Sequence, residues 1–492
     1  MTERAYRAAC PGCGAPVEFR GAQSAYAVCS YCQSTVVRQG DTLSRIGKMA
    51  ELFEDHSPLQ LQARGSIDSR AFTLVGRLQY KSGSGNWTEW VALFDDGSTA
   101  LLAEDNGAYV FARQGSVRRA LPEASQFRIG ATTAVEGKSF QVTLNEETSL
   151  VSAQGELPRL PPLNQSFPMV ELRSADAEVL SIDFGAQPPQ VTRGRAVTLD
   201  ELRMSGLKEE SAKEETGRQF ACPNCGAPVA PKLSLSRSIV CASCNSVIDL
   251  RQGIGGELAH AEQHEPVRPL IALGSTGQLQ GAQWQVVGYQ HRMGWEPGED
   301  DERFGWDEYL LYNRKRGFIF LVDATDGWSV VKPTTGAPKL SDSAQEATYL
   351  GKTYTLQYGY HAETNYVSGE FYWPVERGQK SFNRDFASGN ALLSMEETPR
   401  EQTWSAGSKI ASEAVAKAFG LEDKRDLLKR GDAGPVTAAG NGVGCGCATI
   451  LIILFVVLVL VVLVKSCEDD SRTGGGVYRG STGGFSSGGS HK

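Results

Sequence analysis

Apolar and polar residues alternate along most of this chain, and the alternating text is written twice. Residues 72–80 (F-T-L-V-G-R-L-Q-Y) and 284–290 (W-Q-V-V-G-Y-Q) each alternate around a central glycine, Gly76 or Gly288. A period of two places every second side chain on one face of a pleated strand, so both segments predict half-buried strands. W-T-E-W at 87–90 then matches W-D-E-Y at 306–309, each entering an apolar-rich strand. Asp96-Gly97 and Arg316-Gly317 predict turns, followed by strands at 99–103 and 318–322. Asn106-Gly107 and Asp326-Gly327 turn the chain again before strands that begin at Tyr109 and Trp328. Short strands joined by such turns are the pattern of an antiparallel meander. The match extends to G-K-S-F from Gly137 and G-K-T-Y from Gly351. E-T-S-L-V-S from Glu147 with G-E-L-P from Gly155 then answers E-T-N-Y-V-S from Glu363 with G-E-F-Y-W-P from Gly369.

The helical period enters only late in each copy. Residues 198–207 carry a capping box, Thr198 with Glu201, and a stop at Gly206, which predicts a short helix. Its counterpart at 408–419 places Ile410, Ala414, Val415, Ala418 and Phe419 on one face, as a helix packed on a sheet requires. Between the copies, K-E-E-S-A-K-E-E-T at 208–216 reads as a solvated linker, and the Gly- and Ala-rich 431–446 as a flexible one.

Each copy is preceded by four cysteines with one spacing, C-x2-C-x15-C-x2-C: Cys10, Cys13, Cys29, Cys32, and then Cys222, Cys225, Cys241, Cys244. The flanking text repeats as well, A-C-P-G-C-G-A-P-V from Ala9 against A-C-P-N-C-G-A-P-V from Ala221. A Cys-x2-Cys turn aims two thiolates at one point, and a second such turn completes a tetrahedron for zinc, with iron the main rival. Gly14 and Gly226 suit the tight turn after each first pair. Two disulfide clusters are the alternative, but the polar, charged start of the chain does not resemble a secretory signal. Four cysteines fill the coordination sphere, so two structural Zn(2+) ions in two zinc ribbons are expected.

The alternation is absent from residues 448–464 (A-T-I-L-I-I-L-F-V-V-L-V-L-V-V-L-V), which carry no charge and end at Lys465. Counted from Val443, the uncharged stretch is 22 residues long. At about 1.5 Å per residue it crosses a hydrocarbon core of roughly 30 Å, which predicts one transmembrane helix. Basic residues flank it on both sides, Lys424, Arg425, Lys429 and Arg430 before and Lys465, Arg472 and Arg479 after, so charge does not orient it. Reduced cysteines do, because thiolate ligands require a reducing compartment, which puts the long N-terminal part in the cytoplasm. Cys445 and Cys447 lie at the near edge of the span and Cys467 just beyond it. From Ser471 onward eight of 22 residues are glycine, so the tail builds no core.

Composition bounds the remaining chemistry. The chain has 492 residues, 41% hydrophobic and 22% charged, with a net charge of −8 that argues against broad polyanion binding. Neither G-K-S nor G-K-T is a phosphate loop, since Thr132 and Glu346 stand where the upstream glycine belongs and strands follow. His260 and His264 have the i, i+4 spacing of a helical metal pair, but no third ligand accompanies them. The acidic run Glu299, Asp300, Asp301, Glu302 reads as a solvated loop inserted in the second copy. The aromatic set Tyr358, Tyr360, Tyr366, Phe371, Tyr372 and Trp373 reads as sheet core, although aromatic faces beside carboxylates also suit alkylammonium groups.

On W-D-E-Y, G-E-F-Y-W-P, the cysteine ribbons and the apolar span before a glycine-rich tail, the chain resembles the bacterial family called domain of unknown function 4178. The resemblance covers two copies, the second matching better, since Leu157-Pro158 stands in the first where the second has Phe371-Tyr372-Trp373. It implies no activity, and only a context of polyamine aminopropyltransferase-like enzymes and small membrane proteins as companions. The expected architecture is mainly β. It runs from ribbon 1 (1–48) through β domain 1 (56–207), a charged linker (208–219), ribbon 2 (220–253) and β domain 2 (265–430). A flexible linker (431–447), a transmembrane helix (448–464) and a Gly/Ser-rich tail (465–492) complete it. The expected role is a non-enzymatic adaptor anchored in the bacterial inner membrane that recruits protein partners, with an enzyme or enzyme subunit of polyamine or peptide chemistry as the alternative.

Overall fold

The computed structural model describes residues 6–430 apart from 22, 40–41, 50–56, 83–85, 106, 119, 163–164, 209–218, 234–235, 251–259, 264–267, 299–302 and 399–401. In the first copy the alternating segments form β1 (Arg70–Lys81), β2 (Asn86–Phe94), β3 (Thr99–Asp105) and β4 (Ala108–Gly115), a meander turned at Gly97 and Gly107. After a connection come β5 (Lys138–Leu157), β6 (Ser166–Arg173), β7 (Glu178–Asp183) and β8 (Gln190–Val197), a second meander. The two meanders do not stay open. β4 pairs with β8, Tyr109 opposite Val197, and β5 pairs with β1, Gly155 opposite Gly76, so eight strands close into an antiparallel barrel.

The second copy repeats this with β9 (Ala282–Trp295), β10 (Arg303–Asn313), β11 (Gly317–Ala324), β12 (Gly327–Pro333), β13 (Lys352–Phe371), β14 (Lys380–Ser388), β15 (Ala391–Glu397) and β16 (Gln402–Ile410). Closure is again double, β12 to β16 with Trp328 opposite Ile410, and β9 to β13 with Gly288 opposite Gly369. Closure removes the sheet edges that an open meander would expose.

Both faces of the sheet are covered, which explains why β11 (G-F-I-F-L-V-D-A) is buried at every position. Leu310, Phe320, Val322, Tyr360 and Ala362 pack in one cluster, while Tyr309, Leu311, Ile319 and Leu321 pack in another with Val415, Ala416 and Leu428. The second cluster lies outside the barrel, beneath helices α1 (Ser412–Phe419) and α2 (Arg425–Leu428). Trp328 Nε1 donates to Leu428 O at 2.7 Å, and Arg430 pairs with Asp323 at 2.6 Å, which fixes the end of the described chain against β11 and β12.

Two helix expectations need correction. Residues 408–419 are not one helix: Ser408 and Ile410 belong to β16, paired with Val330 and Trp328, and α1 starts only at Ser412 before ending at Gly420 in the left-handed conformation. Residues 198–207 form no helix at all. Thr198 Oγ1 does accept from Glu201 N at 3.1 Å, but the turn ends at Arg203, whose φ is 46°. Ser205 is then drawn into a bridge with Arg64, each donating its N–H to the other's carbonyl, at 2.8 and 3.0 Å. The tertiary bridge outcompetes continuation of the helix, and the turn covers the first barrel with Leu199 and Leu202.

Among the described residues no helix is long and apolar enough to cross a membrane. The apolar stretch 448–464, the acidic run 299–302, His264, Cys445, Cys447, Cys467 and the tail lie outside the described residues.

Candidate metal centres and their junction with the barrels

Each cysteine pair sits on a turn between short strands. In the first ribbon, Tyr6–Ala9 pairs with Pro16–Phe19, and Gly14 takes φ 79° to let its N–H reach Cys10 O at 2.8 Å. In the second ribbon Phe220–Ala221 pairs with Pro228–Val229, and Gly226 repeats the geometry with φ 74° and 2.9 Å. The later cysteines turn at Gln33 and Asn245, both left-handed, between Tyr26–Val28 and Ser34–Gln39 and between Ser238–Val240 and Val247–Asp249.

The turns bring all eight predicted ligands into two groups, Cys10, Cys13, Cys29, Cys32 and Cys222, Cys225, Cys241, Cys244, with every sulfur in a group within 4.8 Å of the others. The pairs Cys10–Cys32, Cys13–Cys29, Cys222–Cys244 and Cys225–Cys241 are each 3.7 Å apart and none is bonded as a disulfide. A tetrahedron with bonds of about 2.3 Å has edges of about 3.8 Å, so the donor set fits a tetrahedral thiophilic ion. Side chains beyond the ligands also repeat: Ser34 Oγ lies 3.2 Å from Cys32 Sγ and Ser246 Oγ 3.3 Å from Cys244 Sγ. Hydrogen bonds from Ser34 bring the Cys32 thiol down to about 6. For Cys244 burial opposes the change, yet the Ser246 hydroxyl and N–H prevail and bring it to about 6 as well. Each serine thus favours the thiolate of its own cysteine, while in the same groups Cys13 and Cys222 are pushed up, to about 12 and about 11, by the neighbouring sulfurs and burial.

The ribbons are not separate beads. Tyr26–Val28 pairs with Gly155–Leu157 at the end of β5, and Ser238 and Ile239 pair with Phe371 and Glu370 at the end of β13. Each ribbon hairpin therefore extends the barrel sheet, and in the second ribbon His260–Ala261 adds a further strand against Val247 and Ile248. His260 consequently lies on an exposed strand, not on a helix.

At this junction the repeated Gly-Glu finds its purpose. Gly155 has φ 75° and Gly369 φ 88°, and a Cβ on either would stand 2.3 Å from the carbonyl of Val75 or Val287. A Cβ on Gly76 or Gly288 would likewise meet the carbonyl of Glu156 or Glu370, so the closing barrel strands, β1 with β5 and β9 with β13, approach where only glycine fits. The glutamates that follow are buried and point at the ribbon. Glu156 Oε2 accepts from the N–H groups of Arg20 and Gly21 at 2.7 and 3.0 Å. Glu370 accepts from Lys232 N at 2.9 Å, Leu233 N at 2.9 Å and Ser236 Oγ at 2.6 Å. Burial nevertheless raises Glu156 above the ordinary carboxylate range. Sequence reasoning passed over both glutamates; their signal was the exact repetition of G-E beside an alternating strand.

A family model described as a domain of unknown function, DUF4178, matches residues 60–199 and again 272–412. The chain belongs to the DUF4178 family. Each matched span is one barrel, and both ribbons fall outside the spans while Gly155-Glu156 and Gly369-Glu370 fall within them. No curated protein matches the chain, and no solved structure does.

The DUF4178 barrels are filled, not hollow. Tyr360, Phe371, Tyr372 and Trp373 join Leu310 and Phe320 in one cluster with Leu233, Val240 and Val247 of the second ribbon, while Tyr366 packs on the outer face and Tyr358 against the inner cluster. Inside the second barrel Arg292 of β9 reaches Glu396 of β15 at 2.9 Å and Ser381 of β14 at 2.8 Å, contacts between non-neighbouring strands that only the interior allows. Glu308 of W-D-E-Y accepts from Trp306 Nε1 at 2.6 Å and Gln290 Nε2 at 2.5 Å, and burial pushes it up to about 7. In the first barrel Tyr80 occupies the register of Arg292, Trp87 and Glu89 those of Trp306 and Glu308, and Arg159 pairs with Asp183 at 2.5 Å. A cavity of about 40 Å³ bordered by Trp87, Glu89, Glu171 and Ser181 remains there, room for water only.

Proposed function

We propose that this DUF4178 protein is a non-enzymatic adaptor: two ribbon-barrel modules, each built around a structural zinc ion, that recruit protein partners to the cytoplasmic face of a bacterial inner membrane. What carries the reading is that the chemically distinctive side chains are committed to architecture. The cysteines close two four-sulfur sites, Glu156 and Glu370 hold ribbon backbone, and Arg292 pairs with Glu396 and lies beside Glu308 inside a barrel. The four sulfurs of each site leave no coordination position for water or substrate, which suits a structural ion. The uncharged run 448–464 supports the anchor, and thiolate sites support a reducing compartment for the modules. The aminopropyltransferase-like enzymes and small membrane proteins suggested by the resemblance are the first partners to look for.

The test is purification of the full-length chain from its native cells in mild detergent, with metal analysis and mass spectrometry of whatever co-purifies. Two zinc per chain and a stoichiometric protein partner are expected. A chain that emerges alone under gentle cross-linking overturns the adaptor reading, and a metal content other than zinc overturns the assignment of the ion.

A further inference from the structure

The two barrels meet in a way that builds a site neither has alone. Ala337 N donates to Ser174 O at 3.2 Å, and Leu350 N donates to Ala175 O at 2.8 Å. Gln141 Nε2 donates to Gln402 Oε1 at 2.5 Å. The turn at Gly107 lies so close to Gly317 that a Cβ would stand 2.2 Å from its Cα, and Arg316 reaches Asp200 at 3.6 Å beside it. Pinned at these points, the barrels enclose a cleft of about 790 Å³ between Gly130, Thr132 and Gln141 on one wall and Pro338, Leu340 and Glu397 on the other. That volume lies within the roughly 300–1,000 Å³ of preformed binding sites.

Both walls end in strand edges. Among the described residues, Thr132–Val135 pair only with the start of β5, and Lys339–Leu340 only with Glu346–Tyr349. In the first hairpin Val135 faces Lys138 across a two-residue turn whose Glu136 and Gly137 have φ 51° and 82°. That geometry makes Val135 a hydrogen-bonded position, so the alternation of an antiparallel ladder turns the N–H and C=O of Thr132 and Ala134 outward. In the second, Ser341 N donates to Glu346 O at 2.9 Å, so the backbone of Leu340 faces outward by the same alternation. Unpaired backbone on an edge is matched along its length only by another backbone. Lys339, Asp342 and Glu397 border the cleft with both signs of charge, which disfavours a purely apolar or purely anionic occupant.

We propose that the inter-barrel cleft binds an extended polar peptide of a partner protein, which adds as a strand to the edge at Thr132–Val135 and is covered from the other wall by Leu340. The proposal rests on the adaptor reading and names where the partner is held.

A phage-displayed random dodecapeptide library is panned on the full-length protein in lipid nanodiscs, and enriched peptides are measured by fluorescence anisotropy and hydrogen exchange. Ala134→Pro removes one outward N–H without touching a ladder bond, and Thr132→Trp fills the cleft from an exposed position. Enriched peptides are expected to slow exchange at Thr132 and Ala134 and to bind each variant at least tenfold more weakly. Peptides that bind both variants as tightly as the parent, protection elsewhere, or no enrichment over empty nanodiscs overturns the cleft proposal. A cellular partner that co-purifies equally with parent and Ala134→Pro also overturns it while leaving the adaptor reading intact, whereas loss of any partner from the parent chain itself sinks the adaptor.

Discussion

The two modules share one topology and differ in what they bury. In the second barrel a complete charge cluster is sealed in: Arg292 is 2% exposed, Glu308 0% and Glu396 5%. In the first, Tyr80 takes the place of Arg292, and positive charge comes instead from Arg159, which follows β5 and reaches Asp183, and from the buried Arg173, which pairs with Glu171. The ribbon contacts diverge in parallel. Phe371, Tyr372 and Trp373 weld the second ribbon to its barrel core, whereas the first has Leu157 and a smaller apolar contact with Val28 and Met49. The lesson is that closure and the Gly-Glu junction define the module, while the interior can be rebuilt provided an arginine still faces its acids.

The largest expected break between the copies is metal loss from one of them. Apparent binding energies of structural zinc are about 10–16 kcal/mol, so Cys222→Ser should unfold the second ribbon while leaving the first intact. Metal analysis should fall from two ions per chain to one, and limited proteolysis should cut between residues 220 and 250 before it cuts the first ribbon. Next comes the sealed charge. Arg292→Met strands Glu308 and Glu396 and should cost about 3–5 kcal/mol in denaturant unfolding, and adding Glu308→Gln and Glu396→Gln should recover most of it. Tyr80→Phe in the first barrel should cost less than half as much.

The pH dependence sharpens the same contrast. Glu308 is raised from 4.5 to about 7, chiefly by burial, so its protonated form is the one the fold favours. The stability it contributes is complete below pH 4.5 and is lost as pH rises through about 7, an amount of about 3 kcal/mol. Parent and Glu308→Gln should therefore diverge over that window, and parallel stability curves would refute the buried placement.

A smaller difference is expected at the junctions. Glu370→Ala leaves the N–H groups of Lys232 and Leu233 unmet and should cost about 2 kcal/mol, more than Glu156→Ala, because three ribbon groups depend on Glu370 and it sits beside the aromatic weld. Faster hydrogen exchange of ribbon amides is the readout. The smallest effect belongs to Tyr31, 74% exposed on the first ribbon's second cysteine turn where the other copy has Ser243. Tyr31→Ser should change stability by less than about 0.5 kcal/mol.

Much of this was legible because it is local. Cys-x2-Cys spacing, the Asp-Gly turns and the period of two depend on neighbours within a few residues, and each is found where the text puts it. The helix at 198–207 misled for the same reason: its capping residues do form a turn, but Arg64, more than a hundred residues away, takes Ser205 for a bridge. The aromatic set was readable as core, yet nothing local distinguished the barrel interior holding Tyr360 from the outer face holding Tyr366.

By itself the sequence determined the strands and turns of the meanders, the duplication and the two four-cysteine groups, since short-range geometry suffices for all three. Tertiary structure alone decided that the meanders close, that Glu156 and Glu370 bind ribbon backbone 135–138 residues away, and that the barrels enclose a cleft. A strand has the same alternation in an open sheet as in a closed one; only the pairing of its far edge, set by partners distant in the chain, tells them apart.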